Sequence, residues 1–364
     1  MTTPYPYQKE LEVGLSAVRR AALLTKTVLS SVDKGAQTKD DNSPVTIADL
    51  GAQALLISAI HHNFPDDQFV GEESSETLRK DQGLCDRVWD LVRTTGQECH
   101  DFQHILGTVA SREDMLEAID RGGGGRGGNS GRIWMLDPID GTKAFMTGGQ
   151  YVVALALVED GEQRVAVLGC PNLSLERFGE RVSDETADPG GDGVVVSAVR
   201  GQGAYMRPLS SVLSPQSDSE VLRRISKPPR RSGQPVQFVE STQSRSSDLD
   251  AHQDVATILG SKWPGTEVFA IQMRYIAVAA GHCDVMVRIP SDDTHREMAW
   301  DHAGGVLVLQ EAGGKVEDLD GNPIDFGAGR KLQSNHGIVA ALNDVHPRAL
   351  ETAQRVLRDR SKPS

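Results

Sequence analysis

The stretch Arg132-Ile-Trp-Met-Leu-Asp-Pro-Ile-Asp-Gly-Thr142 decides how the rest of the chain is read. Arg132 to Leu136 is a strand candidate that delivers Asp137 at its end. Pro138 lacks a backbone N–H and fixes φ, which stops the strand. Asp140 follows in the turn, and Gly141 permits close backbone approach. With Thr142 opening a short helix, the N–H groups of Gly141 and Thr142 point outward with the positive end of the helix dipole and form an anion site. Two carboxylates beside an anion site fit if hard cations bridge them, and Mg²⁺ takes oxygen ligands while keeping water and phosphate in its shell. The plainer alternative, a strand-to-helix turn with Asp140 as a cap only, stays open on this hexapeptide alone. An aspartyl nucleophile fits poorly, because the two aspartates are three apart with a proline between them.

Downstream, 151–157 and 164–170 flank the turn Glu159-Asp-Gly161 and read as an antiparallel hairpin, and Gly193 to Val196 begins another strand. Upstream, Leu11, Leu15, Val18, Ala22 and Leu29 mark a helix over 8–32, and Thr46 to His62 repeats the pattern. Gln68 to Gly71 reads as a short strand, and a third helix covers part of 84–120. The glycine tract from Arg121 to Gly131 has no side chains to pack, so a mobile surface loop is expected. It is no phosphate-binding loop, since no Gly-Lys-Ser/Thr follows. Residues 181–193 are loop-like. The Ser-, Pro- and Arg-rich run 207–235 reads as a surface excursion, with Arg223-Arg224 and Arg230-Arg231 in a solvated basic loop around Lys227-Pro-Pro229. Strand and helix candidates then alternate over 236–240, 249–260, 267–281, 283–289, 300–312, 336–342 and 346–359. That gives an N-terminal α+β domain over 1–190 and a C-terminal α/β domain over 191–364.

A length of 364 residues with 38% hydrophobic content supports a large core and excludes a disordered chain. The formal charge of −13 argues against nucleic acid and anionic membrane as partners, and it demands a local source of positive charge if the substrate is a phosphate ester. The start has no basic and apolar leader pattern, and no apolar run approaches a spanning length, so a cytoplasmic location is expected. Cys85, Cys99, Cys170 and Cys283 are widely spaced and read as reduced thiols.

Three further acidic clusters lie beside turn residues: Asp49 in Ser43-Pro-Val-Thr-Ile-Ala-Asp49, the pair Glu72-Glu73, and Asp301 in Trp300-Asp-His-Ala-Gly-Gly305. Each has a structural alternative. Thr46-x-x-Asp49 fits a capping box. Glu72-Glu73 could be a solvated pair, though adjacent like charges repel and a divalent ion would relieve the cost. Asp301 could be an ordinary N-cap ahead of Ala303 to Leu309. The order and combination of all four favour one shared purpose.

In that order, the residues resemble the inositol monophosphatase superfamily of Mg²⁺-dependent, lithium-sensitive phosphatases. Its Gly-Glu-Glu, Asp-Pro-x-Asp-Gly-Thr and Trp-Asp-x-Ala-Gly elements are all present, and the longer stretches resemble its 3′(2′),5′-bisphosphate nucleotidase branch. The resemblance covers Tyr7 to Ala341. It implies a layered αβαβα sandwich and hydrolysis of the 3′-phosphate of 3′-phosphoadenosine 5′-phosphate, with two or three Mg²⁺ ions as cofactor and a phosphorylated nucleotide as partner. It assigns Glu72, Asp137 and the Ile139 carbonyl to the first ion, and Asp137, Asp140 and Asp301 to the second. Asp49 and Thr142 orient and deprotonate the attacking water with Glu73 close by, and the Gly141 and Thr142 amides hold the phosphate.

The same resemblance places Arg288 on the nucleotide's 5′-phosphate side. Ala270-Ile-Gln-Met-Arg274 stands where the family commonly has Asp-Ser-Gln-Ala-Lys, so Arg274 replaces a lysine and Ile271 a serine. Glu240-Ser-Thr-Gln-Ser-Arg-Ser-Ser247 lacks the family's histidine. The metal residues are therefore expected intact and the nucleotide pocket altered, which leaves inositol 1,4-bisphosphate or another nucleoside 3′-phosphate as alternative substrates, and a non-catalytic nucleotide binder as a further one. His302 is expected to pack or cap, and Asp318-Leu-Asp-Gly321 to form a turn.

Overall fold

The computed structural model describes residues 6–31, 37–38, 44–99, 102–176, 182–212, 222–226 and 234–361. At its centre, seven strands lie side by side in chain order: β1 (Gln68–Gly71), β2 (Arg132–Asp140), β3 (Val152–Glu159), β4 (Glu162–Cys170), β5 (Val194–Val199), β6 (Gly203–Pro208) and β7 (Arg223–Ile225). β1 and β2 are parallel and all later neighbours antiparallel. The sheet continues past residue 190, because β4 pairs with β5 from Val165–Val199 to Cys170–Val194.

Strand alternation sorts side chains between two cores. Trp134 and Leu136 face helices α1 (Gln8–Ser30), α2 (Ile47–Asn63), α3 (Gln82–Glu98) and α4 (Arg112–Gly123). Ile133 and Met135 face the opposite way, toward α7 (Ile271–Ala279) and α8 (Ala303–Glu311), with α5 (Thr142–Thr147) and α6 (Leu249–Leu259) preceding them in the chain. Beyond α7 and α8 lies a second antiparallel sheet of β8 (Val285–Arg288), β9 (Gly314–Glu317) and β10 (Ile338–Leu342), with β10 central. Its far face, including Val287 and Val339, packs on α6 and on α9 (His346–Arg360). The result is the five-layered αβαβα sandwich that the resemblance implied.

Local signals account for several element ends. Ser111 accepts a hydrogen bond from Asp114 N–H and starts α4, which splits the single helix expected within 84–120 into α3, a short turn over 103–106 and α4. β2 runs on to Asp140 rather than stopping at Asp137, with a register shift against β3 between the two aspartates. Such a bulge suits a strand containing a proline and re-aims the side chains around it.

The glycine tract corrects the expectation of a mobile loop. A Cβ on Gly125 would lie 1.7 Å from the Phe69 carbonyl oxygen, and one on Gly123 would lie 2.3 Å from that of Glu73. The tract lacks side chains because backbone packs directly on backbone there, against β1 and the segment after it. Arg223 and Arg224 are exposed on the edge strand β7 rather than in a loop, where charge discourages further pairing. Most of 34–43 and of 207–235, including Lys227 to Arg231, lies outside the described residues. Among the described residues, no helix is long and apolar enough to cross a membrane. The four cysteines are free and buried.

Candidate active site

Five chain segments meet at a cleft of about 490 Å³ whose wall includes Glu72, Asp137, Ile139, Asp140, Gly141, Thr142 and Asp301. Glu72 follows the C-terminal end of β1, Asp137 and Asp140 flank the bulge of β2, and Asp301 lies in the turn before α8. Gly141 adopts φ +91°, a left-handed conformation suited to glycine, and Thr142 starts α5 as expected.

Burial and mutual repulsion set the protonation of this group. Asp137 is held well above the usual carboxylate range, first by desolvation and then by Glu72, Asp140, Asp301 and Asp49. Asp301 rises for the same reasons, by desolvation first and then by the like charges of Glu72, Asp140 and Glu297. Desolvation raises Asp140 to about 7 although the amides of Gln272 and Ile271 and the charge of Arg274 pull it down. Carboxylates and one carbonyl form an all-oxygen donor set whose charges repel one another, and hard divalent cations fit that chemistry. Glu72, Asp137, the Ile139 carbonyl, Asp140 and Asp301 are the residues present to hold them.

Asp49 reconciles the two readings its sequence context left open. Its Oδ2 accepts from Thr46 N–H at 2.8 Å and from the Thr46 hydroxyl at 2.6 Å, completing the capping box of α2. Its Oδ1 accepts from the Thr142 hydroxyl at 3.3 Å. One oxygen serves the cap and the other reaches Thr142 on the cleft wall.

Other expected residues sit elsewhere. Glu73 is buried and does not line the cleft; its N–H donates to Gln53 Oε1 at 3.0 Å and its carbonyl accepts from Gln53 Nε2 at 2.7 Å. Arg274 does not line the cleft either. Its buried guanidinium donates to the Val268 and Phe269 carbonyls, each at 2.8 Å, which fixes the segment leading into α7. Arg288 stands behind the wall, bonded to Glu297 at 2.8 Å and to the hydroxyls of Ser244, Ser246 and Ser247. His302 is fully buried, with Nδ1 2.8 Å from the Tyr275 hydroxyl. It packs, as expected. Glu297, Asp301 and His302 each bring a ligand atom within 4.8 Å of the others. The Arg288 guanidinium covers both Glu297 oxygens, so this trio reads as the edge of an ion-pair network rather than a second cage. Asp318 accepts from Asp320 and Asn322 N–H, the expected turn.

Three residues that hold the site give no motif in the sequence. Gln53 bridges Glu73 to the Ile119 carbonyl from within α2. Gln272 donates to the Trp300 carbonyl at 2.8 Å and accepts from Gly305 N–H at 2.6 Å. Arg330 donates to the carbonyls of Gly71, Gly122 and Gly125 and lies 4.6 Å from the Trp300 ring. The available signal was a polar residue inside an apolar helical stretch, as in Ala52-Gln-Ala54 and Ile271-Gln-Met273.

Comparison with known proteins gives the chain's family and fold. The model of the inositol monophosphatase family matches residues 103–358. A 3′(2′),5′-bisphosphate nucleotidase of Emericella nidulans is 40% identical over 97% of this chain and 99% of its own. One from Schizosaccharomyces pombe is 38% identical over 96% of each chain. A solved inositol monophosphatase from Zymomonas mobilis covers 96% of this chain and 100% of its own at TM-score 0.59 and 18% identity, which is a likeness of fold.

Proposed function

The chain belongs to the inositol monophosphatase family, in its 3′(2′),5′-bisphosphate nucleotidase branch, and from that premise we infer a metal-dependent phosphatase that removes the 3′-phosphate of 3′-phosphoadenosine 5′-phosphate to give AMP and phosphate. The observation that carries the reading is the convergence of Glu72, Asp137, Asp140 and Asp301 on one cleft that also contains Thr142, the partner of Asp49.

Bound divalent cations, two or three Mg²⁺ in this reading, would polarise the phosphoryl oxygens and acidify the attacking water. The chain's residues do the rest. The Thr142 hydroxyl lies within hydrogen-bond reach of the Ile139 carbonyl at 3.1 Å and of Asp49 Oδ1 at 3.3 Å; with that carbonyl given to a cation, the hydroxyl donates to Asp49 and its oxygen accepts from a water. The water gives its proton to Thr142 as Thr142 gives its own to Asp49, the water oxygen bonds to phosphorus while the P–O3′ bond breaks, and the leaving ribose oxygen takes up a proton from solvent. The Gly141 and Thr142 N–H groups are the donors for the reacting phosphate. The Gln53 amide clamps the Glu73 backbone, which fixes the chain immediately after Glu72.

Phosphate release from 3′-phosphoadenosine 5′-phosphate tests the reading, with inositol 1,4-bisphosphate and other nucleoside 3′-phosphates as comparison substrates. Release that needs Mg²⁺, stops with EDTA and is inhibited by lithium is expected. Release from none of these substrates at any Mg²⁺ concentration would refute it.

A further inference from the structure

Besides the carboxylates and the 139–142 turn, the cleft wall carries Lys143, Gln243, Ser244, Arg245, Ser246 and Phe269. Lys143 and Arg245 are the basic side chains on that wall, and both are exposed. Lys143 Nζ lies 5.6 Å from the Phe269 ring centroid. Among the described residues, no hydrogen bond or ion pair engages the Arg245 guanidinium.

The two arginines expected from the resemblance are committed elsewhere. Arg274 spends its donors on the Val268 and Phe269 carbonyls. Arg288 pairs with Glu297 through Nε at 3.1 Å and Nη2 at 2.8 Å, in a buried setting where leaving that carboxylate unpaired is costly. Its other contacts are instructive. Ser244 and Ser246 accept from Arg288 at 3.1 and 3.2 Å. A hydroxyl that accepts from a guanidinium keeps its own proton to donate, and that polarises Ser246 toward an anion.

A net charge of −13 opposes a substrate with two phosphates. Cations at the carboxylates answer for the reacting phosphate only. The other phosphate needs its own positive charge at the same cleft, and an exposed guanidinium is well shaped for it. We propose, on the reading of the site given above, that Arg245 and Lys143 with Ser246 form the subsite for the second, non-reacting phosphate of a bisphosphorylated substrate. Arg288 is then a positioning residue that holds the 243–246 segment from behind.

The test is the ratio of kcat/KM for adenosine 3′,5′-bisphosphate to that for adenosine 3′-monophosphate, which cancels any loss of folded protein. Arg245→Ala should lower the ratio about 10- to 100-fold, through KM for the bisphosphate, with Arg245→Lys intermediate and Lys143→Ala/Arg245→Ala lower still. Arg223→Ala, on the exposed edge of β7, should leave the ratio at the wild-type value. An unchanged ratio in Arg245→Ala and in the double variant overturns the subsite, and so does an equal fall in Arg223→Ala, which would indicate bulk charge. A wild-type enzyme that cleaves both substrates equally well also overturns the subsite while leaving the phosphatase reading intact. Cleavage of neither substrate overturns both.

Discussion

Arg330 offers a sharp test of how the cleft is assembled. It sits far along the chain from Glu72, yet its guanidinium donates to the carbonyl of Gly71 at 2.8 Å, one residue before that glutamate. It also donates to Gly122 and Gly125 at 3.1 and 3.0 Å and covers the ring of Trp300, one residue before Asp301. Replacing Arg330 with alanine removes three charge-assisted hydrogen bonds and a ring contact. Each such bond is worth about 1.5–3 kcal/mol in buried settings. Arg330 is half-buried and the terms are not additive, so a total near 3 kcal/mol is reasonable. For a chain of this size that lowers Tm by roughly 4 °C. A general stability loss would stop there. Here the backbone leading into Glu72 and Asp301 also loosens, so the Mg²⁺ concentration for half-maximal activity should rise several-fold, with kcat largely restored at saturating Mg²⁺. The rise in Tm caused by added Mg²⁺ should need correspondingly more metal. Arg330→Lys keeps the charge but not the planar fork and should fall between. Thermal unfolding across a Mg²⁺ series, beside phosphate release, reads both effects. A normal Mg²⁺ midpoint in a destabilised Arg330→Ala would show that the residue holds the fold and not the site.

Asp49→Asn should lower kcat by about 10²–10⁴ with a small change in KM, since a base and its proton path are lost; kcat within a factor of two of wild type would remove Asp49 from the chemistry. Gly125→Ala should cost several kcal/mol, because its Cβ meets the Phe69 carbonyl oxygen at 1.7 Å, whereas Gly96→Ala in α3 meets nothing within 4 Å and should be neutral or stabilising by about 0.5–1 kcal/mol; urea unfolding distinguishes them. His252 is buried and accepts from Ile289 N–H at 2.9 Å, and burial together with the charges of Arg288 and Arg274 lowers its pKa to about 3. The unfolded chain therefore binds the extra proton first, and this contribution to stability is lost as pH falls below about 6.5. Between pH 7 and 5 the wild type should lose about 2 kcal/mol more than His252→Gln, which keeps an acceptor, and equal losses would refute the assignment. Mg²⁺ at about 100 times its dissociation constant should stabilise the protein by roughly 2.7 kcal/mol, and Asp137→Asn should abolish most of that gain.

Much of this was legible in the sequence, and the limits have physical causes. Period-two and helical apolar patterns placed the main helices and the strands β1 to β5, β8 and β10, because a half-buried element must show its face in its residues, while the short strands β6, β7 and β9 went unread. The carboxylates were legible through the order and combination of four acidic clusters, since each cluster alone has an ordinary reading as a cap, a turn or a solvated pair. Asp49 was ambiguous only because a carboxylate has two oxygens, and the fold uses both. The glycine tract misled because composition cannot separate a segment that packs nothing from one whose backbone packs directly on backbone. Arg274 and Arg288 were placed at the substrate by resemblance alone, which aligns a charge but does not show its partners. Glu297 sits nine residues after Arg288 and gives no hint that the two are bonded. Gln53, Gln272 and Arg330 act through main-chain atoms of distant residues, and no residue pattern records that.

The relation between Asp140 and Asp301 shows what such main-chain contacts accomplish. Both oxygens of Asp140 accept first-turn N–H groups of α7, from Ile271 at 3.0 Å and Gln272 at 2.6 Å. The positive end of that helix offsets part of the cost of burying the charge. The Gln272 whose N–H meets Asp140 extends its amide to the Trp300 carbonyl and to Gly305 N–H, bracketing Asp301. A side chain on Gly305 would lie 2.4 Å from the Tyr275 ring and force α7 and α8 apart. One glutamine and one glycine thus fix the spacing between a carboxylate from the first sheet and one from the turn before α8. Ile271 contributes through its N–H, which any residue but proline supplies. The serine-to-isoleucine difference at that position therefore leaves the Asp140 anchor untouched.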